Sequence, residues 1–278
     1  MQIGLRVHDG ERLPLEELLP LIKEKGFTCG HLALSKSVSP DYMRPTVLTP
    51  GYAMYLRRLF ERCGLDIAVL GCYLNLADPD ENRLRANTEK YLAHIRFASH
   101  LGCGVVGTET GAPNSAYKYE PACHTEESLR TFIQNLRPVV GYAEKMGVIF
   151  AIEPVFKHIV CDPVRARRVL DEINSPNLQI IFDPVNLLSA DNCGRREQIF
   201  EQVFDLLGKD IAVVHIKDYV VREGEIVSVA AGTGEMDYKS IMGFIKRDKP
   251  HIHVTLENTS PDNSVRARQL IQSVWESV

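Results

Sequence analysis

Apolar residues gather in short runs, separated by longer stretches in which they return at helical spacing. The runs Gln2–Val7, Thr28–Leu34, Asp66–Cys72, Cys103–Thr108, Val148–Ile152, Leu178–Phe182, Ile211–Ile216 and Ile252–Leu256 predict eight β-strands. Several are almost continuously apolar, as in Ile211-Ala212-Val213-Val214-His215-Ile216, the composition of strands covered on both faces of a parallel sheet. Leu15–Lys25, Arg83–Leu101, Glu126–Met146 and Gly194–Leu207 place apolar residues every three or four positions and predict helices. Each remaining gap between strands has room for one helix. Gly26, Gly64, Gly102, Gly147 and Gly208 follow helical stretches, where a left-handed cap is expected. Asp162-Pro163 and Ser260-Pro261 read as an N-cap followed by proline in the first turn.

Strand–helix alternation from end to end implies parallel strands joined by right-handed crossovers. Eight such units in 278 residues predict an α/β fold, the (β/α)8 TIM barrel, with an eight-stranded parallel barrel surrounded by helices. A doubly wound sheet is the competing arrangement. No G-x-G-x-x-G follows the first strand, however, and Gly232-Thr233-Gly234 lacks a third glycine and reads as a turn. No composition break divides the chain, so residues 1–278 are expected to form one domain. Tyr73–Asn82, Glu109–His124 and Asp218–Asp237 are expected to be long loops that shape a pocket at one barrel face.

In such a barrel the functional side chains stand at the C-terminal ends of strands. The predicted ends carry His8-Asp9, His31, Tyr73-Leu74-Asn75, Glu109, Glu153, Asp183, His215 and Glu257. The last four lie 30, 32 and 42 residues apart, about one βα unit each, so four consecutive strands would point one ligand each across the mouth. Three carboxylates and one imidazole form an oxygen-rich donor set, which suits Mn2+, Mg2+ or Co2+ better than a thiolate-bound structural zinc. Three buried carboxylates also repel one another strongly without a cation. Pro154 and Pro184 bias Glu153 and Asp183 toward extended backbone. His158 lies five residues past Glu153, and Lys217 two past His215, on the same strand face. Both are expected to reach substrate, with His8, His31 and Glu109 at the same mouth and Tyr73 and Phe156 as an apolar wall. The structural alternative for Lys217 is an ion pair with Asp218 or Glu235.

Composition narrows the class. Hydrophobic residues make up 45% and charged residues 24%, which excludes a disordered or low-complexity chain. The formal net charge of −4 offers no electrostatic footprint for nucleic acid. No apolar run approaches the ~18 residues of a membrane-spanning helix. The N-terminus lacks the basic-then-apolar layout of a signal peptide. Seven cysteines with no C-x-x-C pair point to a reducing compartment, so the expected localisation is cytoplasmic. Cys72 and Cys161 lie near predicted strand ends.

The chain's best markers are Ile152-Glu153-Pro154, Phe182-Asp183-Pro184-Val185-Asn186, Val214-His215-Ile216-Lys217-Asp218, Gly232-Thr233-Gly234-Glu235-Met236-Asp237-Tyr238 and Leu256-Glu257. In this order and spacing they make it resemble the xylose-isomerase-like barrel family of sugar isomerases and epimerases, which includes D-tagatose and D-psicose 3-epimerases. The resemblance implies that Glu153, Asp183, His215 and Glu257 bind one divalent ion (Mn2+, Co2+, Mg2+ or Zn2+). It implies that Glu153 and Glu257 also move protons, alpha to the carbonyl of a ketose or related keto-sugar, through an enediolate. A homodimer or homotetramer is a further implication. Many members carry a substrate-contacting histidine three residues after the aspartate ligand. Asn186 stands there in this chain, and an amide bonds a hydroxyl but takes up no proton near neutral pH. The same enediolate can expel a β-hydroxyl, so a dehydratase of the inosose or dehydroshikimate type is the alternative. A sugar-binding paralogue without turnover is a second alternative. A metal-dependent endonuclease would need more histidine ligands and a basic groove. No Arg/Lys cluster or glycine nest marks a phosphate site, which favours a free or modified sugar over a sugar phosphate.

Overall fold

A computed structural model describes Met1–Val278. All eight predicted strands are present: β1 (Gln2–Arg6), β2 (Cys29–Leu32), β3 (Asp66–Gly71), β4 (Val105–Glu109), β5 (Ile149–Glu153), β6 (Leu178–Phe182), β7 (Ile211–Ile216) and, after a hairpin, β10 (His253–Leu256). They pair in parallel around a closed barrel in the order β1-β10-β7-β6-β5-β4-β3-β2. The ring closes where Gln2 to Leu5 of β1 lie beside His253 to Leu256 of β10. The helices are α1 (Leu15–Glu24), α2 (Leu34–Ser37), α3 (Pro50–Cys63), α4 (Glu81–Leu101), α5 (Glu126–Met146), α6 (Pro163–Ile173), α7 (Arg196–Leu207), α8 (Lys239–Asp248) and α9 (Ser264–Ser277). The fold is a (β/α)8 TIM barrel. No helix is long and apolar enough to cross a membrane.

Local chemistry sets the helix ends. Thr49, Asp80, Thr125 and Asp162 cap α3, α4, α5 and α6 by accepting hydrogen bonds from backbone N–H groups of the first turn. Gly64, Gly102 and Gly147 take the left-handed conformation that ends α3, α4 and α5. Two sequence expectations differ. Gly208 stays right-handed and continues α7 into one 3-10 turn, Gly208–Asp210. Ser260 does not cap α9, because Asn263 bends back to accept from the Ser260 N–H at 2.8 Å and the helix begins at Ser264.

The barrel interior is layered. Val69, Ala151, Ile181 and Val213 form a small buried cluster inside the strands. Gly107 keeps this layer closed, since a Cβ there would lie 2.6 Å from Ile181 Cδ1 and 2.7 Å from Val69 Cγ2. Side chains alternate along each strand, so the next inward positions above the apolar layer are Glu109, Glu153, Asp183 and His215. The apolar plug is thus the floor of the polar site.

The segment expected as a loop after β7 contains a two-stranded antiparallel hairpin, β8 (Asp218–Arg222) and β9 (Glu225–Val229). Glu223 and Gly224 both have positive φ, the backbone of a two-residue turn whose twist matches its strands. The hairpin is anchored at its base by Asp218. One carboxylate oxygen accepts from the N–H groups of Tyr219 and Met236, each at 2.8 Å, and the other from those of Gly232 and Gly234, each at 3.0 Å. This explains the Gly232-Thr233-Gly234 turn: a Cβ on Gly234 would fall 2.1 Å from the Tyr219 carbonyl oxygen.

Asp218→Ala would leave four N–H groups without their acceptor. It is expected to lower the unfolding free energy by about 2–4 kcal/mol. Asp218→Asn keeps one acceptor oxygen and should cost less. Urea unfolding followed by circular dichroism measures both, and an Asp218→Ala midpoint equal to the parent's would show that the turn stands without this residue.

Candidate metal centre

Glu153 ends β5, His215 sits in β7, and Asp183 and Glu257 follow β6 and β10 directly. All four are buried. His215 Nδ1 lies 3.4 Å from Glu153 Oε2 and 3.2 Å from Glu257 Oε1, yet neither ring nitrogen has a hydrogen-bond partner. Asp183 turns its Oδ1 to the backbone N–H groups of Val185 and Asn186 at 2.9 and 3.1 Å, which leaves Oδ2 facing the cluster. The Lys217 ammonium lies 2.8 Å from Asp183 Oδ2, off the hydrogen-bond direction, and donates to Glu257 Oε2 at 3.2 Å. Donor atoms gather in two overlapping groups within 4.8 Å, Glu153–Asp183–His215 and His31–His215–Glu257. His215 belongs to both. A cation could be held by either group, and His31, expected only to line the mouth, is a further donor.

The residues round these donors fix their orientation. Asn186, expected to meet substrate, lines the mouth and donates its amide to Glu153 Oε1 at 2.7 Å. Lys217 does not pair with Asp218 or Glu235; Asp218 is taken up by the turn. His31 stacks on His215 with ring centroids 5.2 Å apart and meets the Tyr73 hydroxyl at 3.0 Å. A Cβ at Gly71 would lie 2.5 Å from His31 Nε2, so glycine there makes room for the ring. Arg6 donates to Asp9 at 3.0 Å and comes within 3.6 Å of Glu257 Oε2.

Burial and charge push these groups apart in acidity. Burial alone would raise Glu257, but Lys217, His215 and Arg6 outweigh it and hold its carboxyl well below the usual range. Burial, with Glu153 and Glu257 nearby, raises Asp183 against the pull of Lys217. Burial disfavours the His215 cation, yet the flanking Glu153 and Glu257 lift it to about 9. His8 and His158 are lowered to about 4 by burial and are neutral at physiological pH. Burial raises Glu109.

The mouth cavity holds about 210 Å3 and is lined by Glu153 and Glu257 together with His8, Glu109, Asn186 and Lys217. His158 lies outside the lining, 3.9 Å from Glu109 and packed edge-on to Tyr117, whose hydroxyl donates to Glu109 at 3.3 Å. Tyr73 is in the wall, but Phe156 is not: it lines an outer groove beside α6 and α7. Asn75 is structural, donating to the Ala112 and Asn114 carbonyls. Cys72 is buried in the core and Cys161 lines the outer groove, its thiol pushed up to about 12 by burial. Sequence reasoning missed Arg6, Lys36, Ser228 and Asn258, which also line the mouth. Asn258 follows Glu257, so reading one residue further at that strand end finds it, whereas Arg6 is the last residue of β1, two before His8, where the sequence pattern places that strand's end. Lys36 and Ser228 arrive on α2 and β9, which carry no such signal.

The model of the xylose isomerase-like TIM barrel family matches residues 17–274. A probable L-ribulose-5-phosphate 3-epimerase of Mycoplasma pneumoniae is 28% identical over 159 residues, 56% of this chain and 47% of that protein. The chain thus spans about half the length of the curated relative it matches. A solved D-tagatose 3-epimerase-like protein superposes with a TM-score of 0.79 at 20% identity, covering 100% of this chain and 98% of that one. The IolI protein, solved with a bound zinc atom, superposes with a TM-score of 0.77 at 16% identity over 100% and 99% of the two chains. The chain belongs to the xylose isomerase-like TIM barrel family.

Proposed function

We propose that this chain is a divalent-metal-dependent isomerase or epimerase that moves a proton alpha to the carbonyl of a keto-sugar. The observation that carries the reading is His215, buried with both ring nitrogens unpartnered between two carboxylates. Two donors bound to one cation at about 2.1 Å stand about 3.0–3.5 Å apart. The separations of 3.4 and 3.2 Å from His215 Nδ1 to Glu153 and Glu257 fall in that range. Glu153, Asp183, His215 and Glu257 would hold the ion, an oxygen-rich set suited to Mn2+, Co2+, Mg2+ or Zn2+. The epimerase relative and the zinc-holding neighbour support the same chemistry.

A bound divalent cation supplies positive charge that makes a C–H beside a carbonyl more acidic. The chain's own groups do the rest. Glu153 and Glu257 flank His215 from different strands, so one, as carboxylate, takes a proton from the substrate carbon and the other, after picking up a proton from water, delivers that one. Return to the opposite face gives the epimer, and return to the adjacent carbon gives the aldose–ketose isomer. Asn186 holds Glu153 in line through its 2.7 Å hydrogen bond. The Lys217 ammonium can donate to the oxygen on which negative charge develops. His8 and Glu109 face the cavity where hydroxyls would lie. His158 would act through Glu109.

The purified protein is expected to hold about one Mn, Co, Mg or Zn per chain by plasma mass spectrometry, and Asp183→Asn to lose it. In D2O, Glu153→Gln and Glu257→Gln should each abolish α-proton exchange of whichever ketose the parent labels, and the product should keep the substrate's mass. No metal, no thermal stabilisation by added metal, or full exchange in both variants would overturn the reading, and loss of water would redirect it to the dehydratase.

In the metal-free protein His215 keeps its proton to about pH 9, against about 6.5 in the unfolded chain. The folded state binds the extra proton between those values, so stability should fall as pH rises across the window, by at most about 1.4 kcal/mol per pH unit. Added divalent cation competes for the same nitrogen and should flatten the slope, and His215→Gln should remove it. Urea titrations at fixed pH read this directly; a flat metal-free profile would contradict the carboxylate pair's hold on His215.

A further inference from the structure

The mouth cavity is small. At about 210 Å3 it lies below the roughly 300–1,000 Å3 of pockets for drug-sized ligands, and one sugar ring fills it. Beside it lies a second cleft of about 760 Å3 that shares His8 and Lys36 with the mouth. It is built from the loop between β1 and α1, from α2, and from the start of α3, so it opens on the same barrel face.

Its wall exposes apolar surface. Leu13, Val38 and Tyr55 are 37, 40 and 40% exposed, and all three line it. Tyr42, Tyr52 and Tyr55 form a row, with successive ring centroids 4.8 and 6.3 Å apart. Exposed apolar patches rimmed by polar groups mark binding sites. The rim charges balance: Glu11 and Glu16 oppose Arg12 and Lys36, and Glu11 and Glu16 are already bonded to Lys25 and Tyr55. An uncharged ligand with flat C–H faces and many hydroxyls fits aromatic walls and a balanced polar rim.

We propose that this cleft is a distal subsite that holds a second sugar ring, joined by a glycosidic bond to the keto-sugar whose carbonyl lies in the mouth. The inference rests on the reading of the mouth as a keto-sugar site. Continuity through His8 and Lys36 favours this occupant over a second copy of the chain, which would close the entrance if it docked on the same tyrosines.

Calorimetric titration of the metal-loaded protein with D-fructose, turanose, maltulose and isomaltulose tests it, the last three being glucosyl-fructoses of different linkage. At least one disaccharide is expected to bind about tenfold more tightly than D-fructose, the scale of a well-placed aromatic contact. Tyr55→Ala and Val38→Asp should remove most of that gain and leave D-fructose binding unchanged. Disaccharides no tighter than D-fructose, or variants that weaken both alike, would overturn the subsite while leaving the mouth's chemistry intact. So would light scattering that finds a dimer which Val38→Asp dissociates. Absence of metal and of any sugar binding would overturn the reading of the mouth and the subsite with it.

Discussion

Three carboxylates buried at one end of a barrel repel one another, and the structure is arranged around that repulsion. Lys217 enters between Asp183 and Glu257, Arg6 approaches Glu257 from β1, and His215 lies between Glu153 and Glu257 with its cation favoured. With the imidazole protonated, His215 and Lys217 set two positive charges among the three carboxylates, and Arg6 is shared between Glu257 and Asp9. In the function proposed above, a divalent cation in place of the His215 proton would add positive charge where a substrate gains negative charge on losing a proton.

The strands and the four principal donors were legible because both depend on short-range regularities. Period-two alternation, near-continuous apolar runs and one donor per βα unit locate Glu153, Asp183, His215 and Glu257 without any knowledge of packing. What was hidden depends on contacts far apart in sequence. Asn186 and Lys217 sit where the pattern says, but their partners, Glu153 and the pair Asp183 with Glu257, come from other strands. The hairpin was read as loop because its turn is Glu223-Gly224 rather than the commoner Asn-Gly or Asp-Gly. Phe156 and His158 follow Glu153 by only three and five residues, yet the chain carries one to an outer groove and the other behind Glu109.

The support beneath the site is as specific as the site. The apolar layer of Val69, Ala151, Ile181 and Val213 fixes the height of the donors, and Gly107 lets that layer close. Asp183 is locked by its own backbone turn, Glu153 by Asn186, and the hairpin that brings Ser228 to the rim by the four N–H groups that Asp218 accepts. These orienting bonds run from backbone or amide N–H to carboxylate, so Asp183 and Glu153 stay placed whether or not His215 carries its proton, while Glu257 is held by Lys217.

The two sides of the mouth are unlike. Toward β4 and β5 its wall is Glu109, backed by Tyr117 and His158, which bond and pack against one another. Toward β1 and β2 it passes His8 and Lys36 into the tyrosine cleft. The mouth therefore continues into a larger cleft on this side. Because Glu153, Asp183, His215 and Glu257 stand at strand ends and the cleft is built from the β1–α1 loop and helices outside the barrel, substitutions in the cleft leave the buried carboxylates in place.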